Sequence, residues 1–176
     1  MSEQTVDQQI AEIHQRLAEK QRKCLTCQTP METINGWQTA IEMGLMDCPT
    51  CHGTGKVPLL PKLRRECPCI YSVITECEGC HASSRIGGCS NCNRCDGKRW
   101  VLSPSDTDTL YDALGELGEI TRVEVLTSSP SSLQARIRCW KDGWLEGNGK
   151  ALDRRLAQWL AAKNLVTNMR KEEGAK

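Results

Sequence analysis

Cysteines carry the strongest chemical signal in this chain. Eleven of its twelve cysteines lie between residues 24 and 95, and most of them form closely spaced pairs. A CxxC pair places two thiolates on one side of a tight turn, where they fit two corners of a zinc tetrahedron with Zn–S bonds of about 2.3 Å. One such pair is weak evidence, whereas four in one region predict zinc binding. The candidate ligands are Cys24, Cys27, Cys48, Cys51, Cys67, Cys69, Cys77, Cys80, Cys89, Cys92 and Cys95.

Two other uses of paired cysteines fit the sequence less well. The polar N-terminal stretch lacks the apolar segment of a secretory signal, so we expect a cytoplasmic protein rather than a disulfide framework. CPTC at residues 48–51 resembles the redox pair of thioredoxin-like proteins, but that chemistry needs a helix directly after the pair. HGTG at residues 52–55 is a poor helix start, so thiol–disulfide chemistry stays an alternative to zinc.

CPTCHGTG at residues 48–55 matches the CxxCxGxG repeat of the DnaJ-type cysteine-rich zinc domain, and CNRCDGKR at 92–99 resembles it with Arg99 replacing the last glycine. The resemblance covers residues 24–100. It implies nested pairing of repeats, with one zinc on Cys48, Cys51, Cys92 and Cys95 and an inner zinc on Cys67, Cys69, Cys77 and Cys80. No HPD tripeptide of a J-domain is present, so the resemblance implies a zinc scaffold and leaves chaperone-like activity as an alternative.

Two such sites would leave Cys24, Cys27 and Cys89, and these three with one histidine would complete a third tetrahedral site. His52 and His81 are the main candidates for that histidine, and surface or packing roles are equally open to both. We therefore predict two zinc ions, or three with the extra site. Since protein ligands would fill every position, the metals are expected to be structural and to supply folding free energy.

Hydrophobic spacing predicts the elements around the cysteines. Residues 1–23 read as an amphipathic helix that packs on its own domain or, alternatively, forms a seam for a homo-oligomer. Residues 24–100 are expected to form a small zinc-stabilised domain of irregular chain and β-hairpins, with a short helix over 37–46 and a hinge over 101–105. The fold class is thus an N-terminal helix, a zinc domain and a second, α+β domain.

Residues 106–166 are predicted to form that two-layer α+β domain in the order α-β-β-β-α, followed by a flexible tail over 167–176. Asp106 or Asp108 can cap its first helix. LQARIRCW at 133–140 alternates strictly between apolar and polar residues, as a half-buried strand does. The other expected elements are a strand at 120–126, a short strand at 144–146, and a closing helix with Leu152, Leu156, Trp159 and Leu160 on one face.

Catalytic motifs are thin, since the chain has three histidines and no glycine-rich phosphate loop, and we predict no enzyme activity. No run reaches the roughly 18 apolar residues of a membrane span, so no membrane partner is expected. The preferred function is a zinc-binding accessory or adaptor protein, of a phage or bacterial regulatory kind, that contacts another protein. The tryptophans proposed as its anchors are Trp37, Trp100, Trp140 and Trp144.

Nucleic-acid binding is the alternative function. The α-β-β-β-α order, with GNGK at 147–150 before the last helix, resembles the double-stranded-RNA-binding domain over residues 107–165. The resemblance implies RNA contacts from Lys150, Arg154 and Arg155. Residues 48–100 carry an excess of basic groups, but zinc-bound thiolates would cancel it, so no broad phosphate-binding surface is expected there. This charge balance favours the protein partner.

Overall fold

A computed structural model of the chain describes residues 4–27, 48, 50–51, 53–67, 92–129, 132–141 and 143–173. The helix predicted over residues 37–46 lies outside these ranges. Within them, no helix combines the length and apolarity that a membrane crossing requires. The elements are α1 (Val6–Ala18), β1 (Gln21–Lys23), β2 (Lys56–Pro58), β3 (Arg64–Glu66), β4 (Trp100–Leu102), α2 (Thr107–Gly115), β5 (Glu119–Ser129), β6 (Ser132–Trp140), β7 (Trp144–Ala151) and α3 (Arg154–Glu173).

Helix α1 is amphipathic, as the sequence predicts, and it begins with a capping box. The Thr5 backbone N–H donates to Gln8 Oε1, and the Gln8 backbone N–H donates to Thr5 Oγ1. The apolar face of α1 is buried against α3 of the same chain, so that face is already covered without a second copy. Its buried residues are Ile10, Ile13, His14, Leu17 and Ala18.

The helix ends at Ala18, and residues 21–23, which the sequence placed in it, form strand β1 instead. Gln21, Arg22 and Lys23 are all exposed and offer no apolar side chain to bury against α3. Their backbone pairs antiparallel with β2, and β3 pairs in the same way with β4. The described part of the cysteine-rich region thus contains two small antiparallel strand pairs, β1 with β2 and β3 with β4, which we call the first and second hairpin although a long segment separates the strands of each pair.

A short 3₁₀ turn, Pro61–Leu63, connects the two hairpins and fastens them to the rest of the molecule. Leu60 and Leu63 are fully buried in the same apolar cluster as α1 and α2. On the other side of the second hairpin, the Ser103 backbone N–H donates to the Leu63 carbonyl at 3.0 Å. The hairpins therefore share a core with the C-terminal layer.

The C-terminal part has the predicted α-β-β-β-α order. Strands β5, β6 and β7 form one antiparallel sheet in that order, and α3 packs on one face of it. Ala135, Ile137 and Cys139 of β6 are buried, which confirms the alternation predicted for this strand. Asp106 caps α2, because its Oδ1 accepts a hydrogen bond of 2.6 Å from the Thr109 backbone N–H.

Strand β7 is longer than predicted, and GNGK at 147–150 lies inside it rather than in a loop before the helix. Leu152, predicted on the helical face, is 78% exposed and precedes α3, whose first turn is capped by Asp153 Oδ1 accepting from the Leu156 backbone N–H. Two glycines in β7 explain why GNGK lies in the strand: at Gly147 and Gly149 the backbone of α3 occupies the space that a side chain would fill. The motif serves close packing of helix on strand.

Helix α3 continues to Glu173, through residues that the sequence assigned to a flexible tail. Polar contacts hold this end of the helix: Asn164 Nδ2 donates to the Asn148 carbonyl at 2.6 Å, and Asn168 Nδ2 donates to the Glu146 carbonyl at 2.9 Å. Met169 adds a buried apolar side chain. Asparagine adds nothing to the apolar periodicity from which the helix was predicted, so the prediction ended the helix before its last turns.

We expect Gly149→Ala to destabilise the fold by about 3 kcal/mol, because the new methyl group would overlap the Ala157 carbonyl oxygen of α3. Denaturant unfolding measures the loss. Gly115→Ala is the matched control, since nothing lies within 4 Å of a methyl group there and alanine favours a helix. Equal stability of the two variants would contradict the close approach of α3 and β7.

His14 lies at the junction of α1, α3 and the segment before α2. Its side chain is 1% exposed, Nδ1 is 2.9 Å from Ser105 Oγ, and its ring centroid is 5.3 Å from that of Trp159. Nε2 is buried and, in the described part of the chain, forms no well-oriented hydrogen bond, although the Leu63 backbone lies near enough to favour the protonated ring. Burial lowers the pKa of His14 below its usual 6.5, because a charged imidazole would be poorly solvated here.

The unfolded chain therefore binds a proton at His14 more readily than the folded chain does. Stability conferred by the neutral ring is present above about pH 6.5 and declines as pH falls from there toward the lowered pKa. Melting temperatures between pH 7.5 and 5.5 test this, with His14→Gln as the variant that cannot titrate. We expect a shallower decline for His14→Gln, and an identical decline would remove His14 as its cause.

Candidate metal centre

Four thiols converge beside the first hairpin, the one formed by β1 and β2. The Sγ atoms of Cys24 and Cys48 are 3.9 Å apart, those of Cys27 and Cys51 are 3.4 Å apart, and all four lie within 4.8 Å of one another. Ligands of a tetrahedral zinc with bonds of about 2.3 Å are about 3.8 Å apart. A disulfide would need about 2.05 Å, and these cysteines are free. The group fits a zinc ion.

The local backbone explains why these thiols meet. Strand β1 leads directly into Cys24, whose N–H donates to the Gly55 carbonyl at 2.9 Å just before β2 begins. The Gly55 N–H in turn donates to Cys51 Sγ at 3.3 Å. Gly53 and Gly55 have φ of 79° and 66°, a left-handed conformation that glycine adopts without steric cost. The glycines of the motif therefore turn the chain back while aiming an N–H at sulfur.

Three further thiols converge beside the second hairpin, the one formed by β3 and β4. Cys67, Cys92 and Cys95 are buried, their Sγ atoms lie within 4.8 Å of one another, and those of Cys67 and Cys92 are 3.8 Å apart. This group offers three corners of a tetrahedron among the described residues. The remaining predicted ligands, Cys69, Cys77, Cys80, Cys89, His52 and His81, lie outside the described residues, so their roles stay predictions.

The two hairpins are copies of one local structure. Gly97 has a φ of 71°, close to that of Gly53, and Arg99 has a φ of 67°, close to that of Gly55. The Cys67 N–H donates to the Arg99 carbonyl at 3.0 Å, as the Cys24 N–H does to the Gly55 carbonyl. Arg99 thus keeps the backbone of the glycine that it replaces. A spacing of 43 to 44 residues between matching cysteines was the sequence signal of this repeat.

The nested pairing implied by the DnaJ-type resemblance is wrong for the described cysteines. Cys48 and Cys51 join Cys24 and Cys27, while Cys92 and Cys95 join Cys67. The third site imagined from Cys24, Cys27 and Cys89 is therefore wrong in composition, because Cys24 and Cys27 belong to the first group. Strand pairing is the cause, since β1 pairs with β2 and β3 pairs with β4.

Hydrogen bonding lowers the pKa of two thiols of the first group and raises the pKa of a third. Burial opposes ionisation of Cys48, but backbone N–H groups of Cys51 and Thr50 outweigh it and lower the pKa of Cys48 to about 6. At Cys24, bonds from the backbone of Cys27 likewise overcome burial and lower the pKa. The pKa of Cys27 is raised, chiefly by its hydrogen bonds to the Cys51 and Cys48 sulfurs. Zinc binding would release protons from those thiols of the group that are still protonated.

The first group is suited to a structural metal. Four cysteines fill a tetrahedral shell and leave no position for the water that a catalytic zinc activates. The chain after Cys51 turns at Gly53 and Gly55 and enters β2, so the pair lacks the following helix that thiol–disulfide catalysis uses.

The structure places the residues predicted to contact RNA near the end of β7 and in the first turn of α3. Lys150 lies in β7, and Arg154 is exposed in the first turn of α3. The Arg155 guanidinium is 3.0 Å from Asp7 Oδ1 and 3.8 Å from Asp153 Oδ1, so two carboxylates neutralise it.

The tryptophans divide into three environments. Trp140 and Trp144 are 45% and 65% exposed and contact each other edge to face, with ring centroids 5.0 Å apart. Trp100 lies beneath the Arg64 guanidinium, which is 4.0 Å from its ring centroid. Trp159 is fully buried in the core, and Trp37 lies outside the described residues. Trp140 and Trp144 are therefore available to a partner.

No protein-family model matches this chain, and no match is found among curated proteins or among solved structures. The likeness to the DnaJ-type zinc domain therefore consists of the motifs themselves and of the two cysteine groups that can hold zinc.

Cys51→Ser should remove one zinc per chain and unfold the first hairpin, because the remaining three thiols leave the tetrahedral shell incomplete. Native mass spectrometry counts the metal. Cys139→Ala is the matched control: Cys139 is as deeply buried, but it lies in β6, apart from both groups. We expect the control to lose about 1 kcal/mol of stability and no zinc. Loss of the same amount of metal from both variants would contradict the assignment.

Proposed function

We propose that this protein is a non-enzymatic zinc-binding adaptor in which two structural zinc ions fold paired hairpins into a scaffold for macromolecular contacts. The observation that carries the proposal is the convergence of Cys24, Cys27, Cys48 and Cys51, with all four sulfur atoms within 4.8 Å. This spacing supports a closed tetrahedral site, and a closed site supports a structural role for the metal.

The short strands of the first hairpin also support a metal. Strands β1 and β2 have three residues each, and in the described part of the chain their buried cluster consists of Cys24, Cys48, Cys51 and Val57. A two-stranded hairpin of this size is marginal on its own in water. Structural zinc supplies on the order of 10 kcal/mol of folding free energy, which is enough to offset the cost of ordering such a segment.

The second zinc would bind Cys67, Cys92 and Cys95 together with a fourth ligand. Cys69 is the nearest candidate in sequence, since it follows Cys67 by two residues, in the region where the first hairpin uses Cys27 after Cys24. Cys77, Cys80 and Cys89 with His52 or His81 would remain for a third site.

The exposed tryptophan pair supports a protein partner. Trp140 and Trp144 lie opposite each other in the β6–β7 pairing, at the end of the sheet, and both are exposed. Tryptophan is enriched among residues that dominate binding energy at protein interfaces. An adaptor of this kind would use the zinc hairpins as a rigid frame and the tryptophan pair as one contact surface.

Native mass spectrometry of the full chain should show two zinc ions, or three if the additional site exists. Removing them with a chelator under reducing conditions should open the hairpins while the α+β layer persists. Hydrogen exchange measures this: amides of residues 21–27 and 53–58 should exchange rapidly, and those of β6 should stay protected. A metal-free protein with protected hairpins would overturn the proposal.

A further inference from the structure

Two basic cavities lie where the helices meet the first hairpin, and we call them together the basic groove. One cavity, of about 650 Å³, lies between α1 and α3, and the other, of about 340 Å³, lies over β1 and β2. Glu19 and Lys20 line both, so the two are neighbours on the surface. The cations of this basic groove are Arg16, Lys20, Arg22, Lys23, Lys56 and Lys163.

These cations are poorly neutralised by the protein. Among the described lining residues of the two cavities, Glu19 is the one acidic residue, against six cations. Arg16 has Glu12 at 3.7 Å, and among the described residues the other five cations form no ion pair. A concentration of unpaired positive charge along one groove is the electrostatic footprint of a polyanion site.

One pair of cations is placed at a cost to stability. Lys23 and Lys56 are direct partners in the β1–β2 pairing, and both are exposed. Like charges opposite each other on adjacent strands are destabilising. An anion lying across the hairpin would remove this repulsion, which makes the pair a second, independent sign of an anionic ligand.

The neighbouring zinc site does not cancel this charge. A zinc ion with four thiolates carries a net charge of −2. The six cations outnumber the combined negative charge of the zinc site and Glu19, so the net charge of the groove stays positive. The thiols of Cys24, Cys48 and Cys51 are also buried, whereas Arg22, Lys23 and Lys56 are exposed to a ligand. Counting charge by chain segment missed this, because the groove gathers residues from positions 16 to 163.

We propose that the basic groove binds the phosphate backbone of double-stranded DNA, independently of base sequence. Among the described residues that line the two parts of the groove, none is aromatic, so they offer no stacking platform for unpaired bases. Evenly distributed lysine and arginine instead suit the regular phosphates of a duplex. Duplex RNA carries the same phosphates and differs by its 2′-hydroxyl groups, so it serves as the comparison ligand in the test below.

The DNA site is distinct from the tryptophan pair, so it extends the proposed adaptor function. Helix α3 packs between the sheet and α1, and the groove opens on the α1 side. The hairpin half of the groove relies on the proposed zinc site for its fold. With both surfaces occupied, the protein would hold a protein partner on DNA.

The test uses the zinc-loaded full chain and a fluorescent 20-base-pair DNA duplex, with affinity measured from 50 to 200 mM salt. The groove variant carries Arg22→Gln, Lys23→Gln and Lys56→Gln. Each lost phosphate contact should lower the slope of log affinity against log salt by about 0.9, so we expect a slope smaller by about three and binding weaker by at least tenfold. Native mass spectrometry should show unchanged zinc in this variant.

The matched control carries Lys150→Gln, Arg154→Gln and Arg155→Gln, which remove the same charge from the surface that the sequence predicted. We expect this control to bind DNA within about twofold of the parent protein. Equal loss in both variants, no binding at 50 mM salt, or tighter binding by more than tenfold to duplex RNA or to anionic phospholipid vesicles would overturn the proposal. Absence of zinc would instead count against the proposed scaffold, and groove-dependent DNA binding would still stand.

Discussion

The meeting of four sulfur atoms beside the first hairpin is the constraint on which the front half of the molecule depends. Cys24, Cys27, Cys48 and Cys51 come from two stretches of chain, and among the described residues Val57 is the one other member of the buried cluster that holds Cys24, Cys48 and Cys51. A metal at that point would supply stability that such short strands lack on their own. The same backbone design recurs in the second hairpin, where Arg99 takes the left-handed conformation of Gly55.

The segment between the hairpins connects the two candidate metal sites to the apolar core. Leu60 and Leu63 are fully buried among residues of α1, α2 and α3, so the turn that separates the two cysteine groups belongs to the apolar core. His14 is buried at the same junction, against Trp159 and Ser105. The basic groove exists because this packing brings α1, α3 and the first hairpin together.

Patterns within one element were readable from sequence, and pairings between elements were not. The apolar face of α1, the alternation of β6, the Asp106 cap and the choice of cysteine as ligand all follow from local spacing. Which cysteine pairs would meet depended on pairing of β1 with β2, and these three-residue strands, with Val57 as their buried apolar residue, are too short to carry a register signal. Hydrogen bonds from Asn164 and Asn168 hold the last turns of α3, and such contacts leave no periodic pattern in the sequence.

Grouping the cysteines within hairpins also orders events on the ribosome. The first set of ligands is complete once residue 51 has been made, so metal capture can begin while most of the chain is still to be translated. A nested arrangement would have delayed it until residue 95. Helix α1 is different, because α3, which covers its apolar face, begins only at Arg154. Until α3 has been made, that face lacks the partner against which it packs.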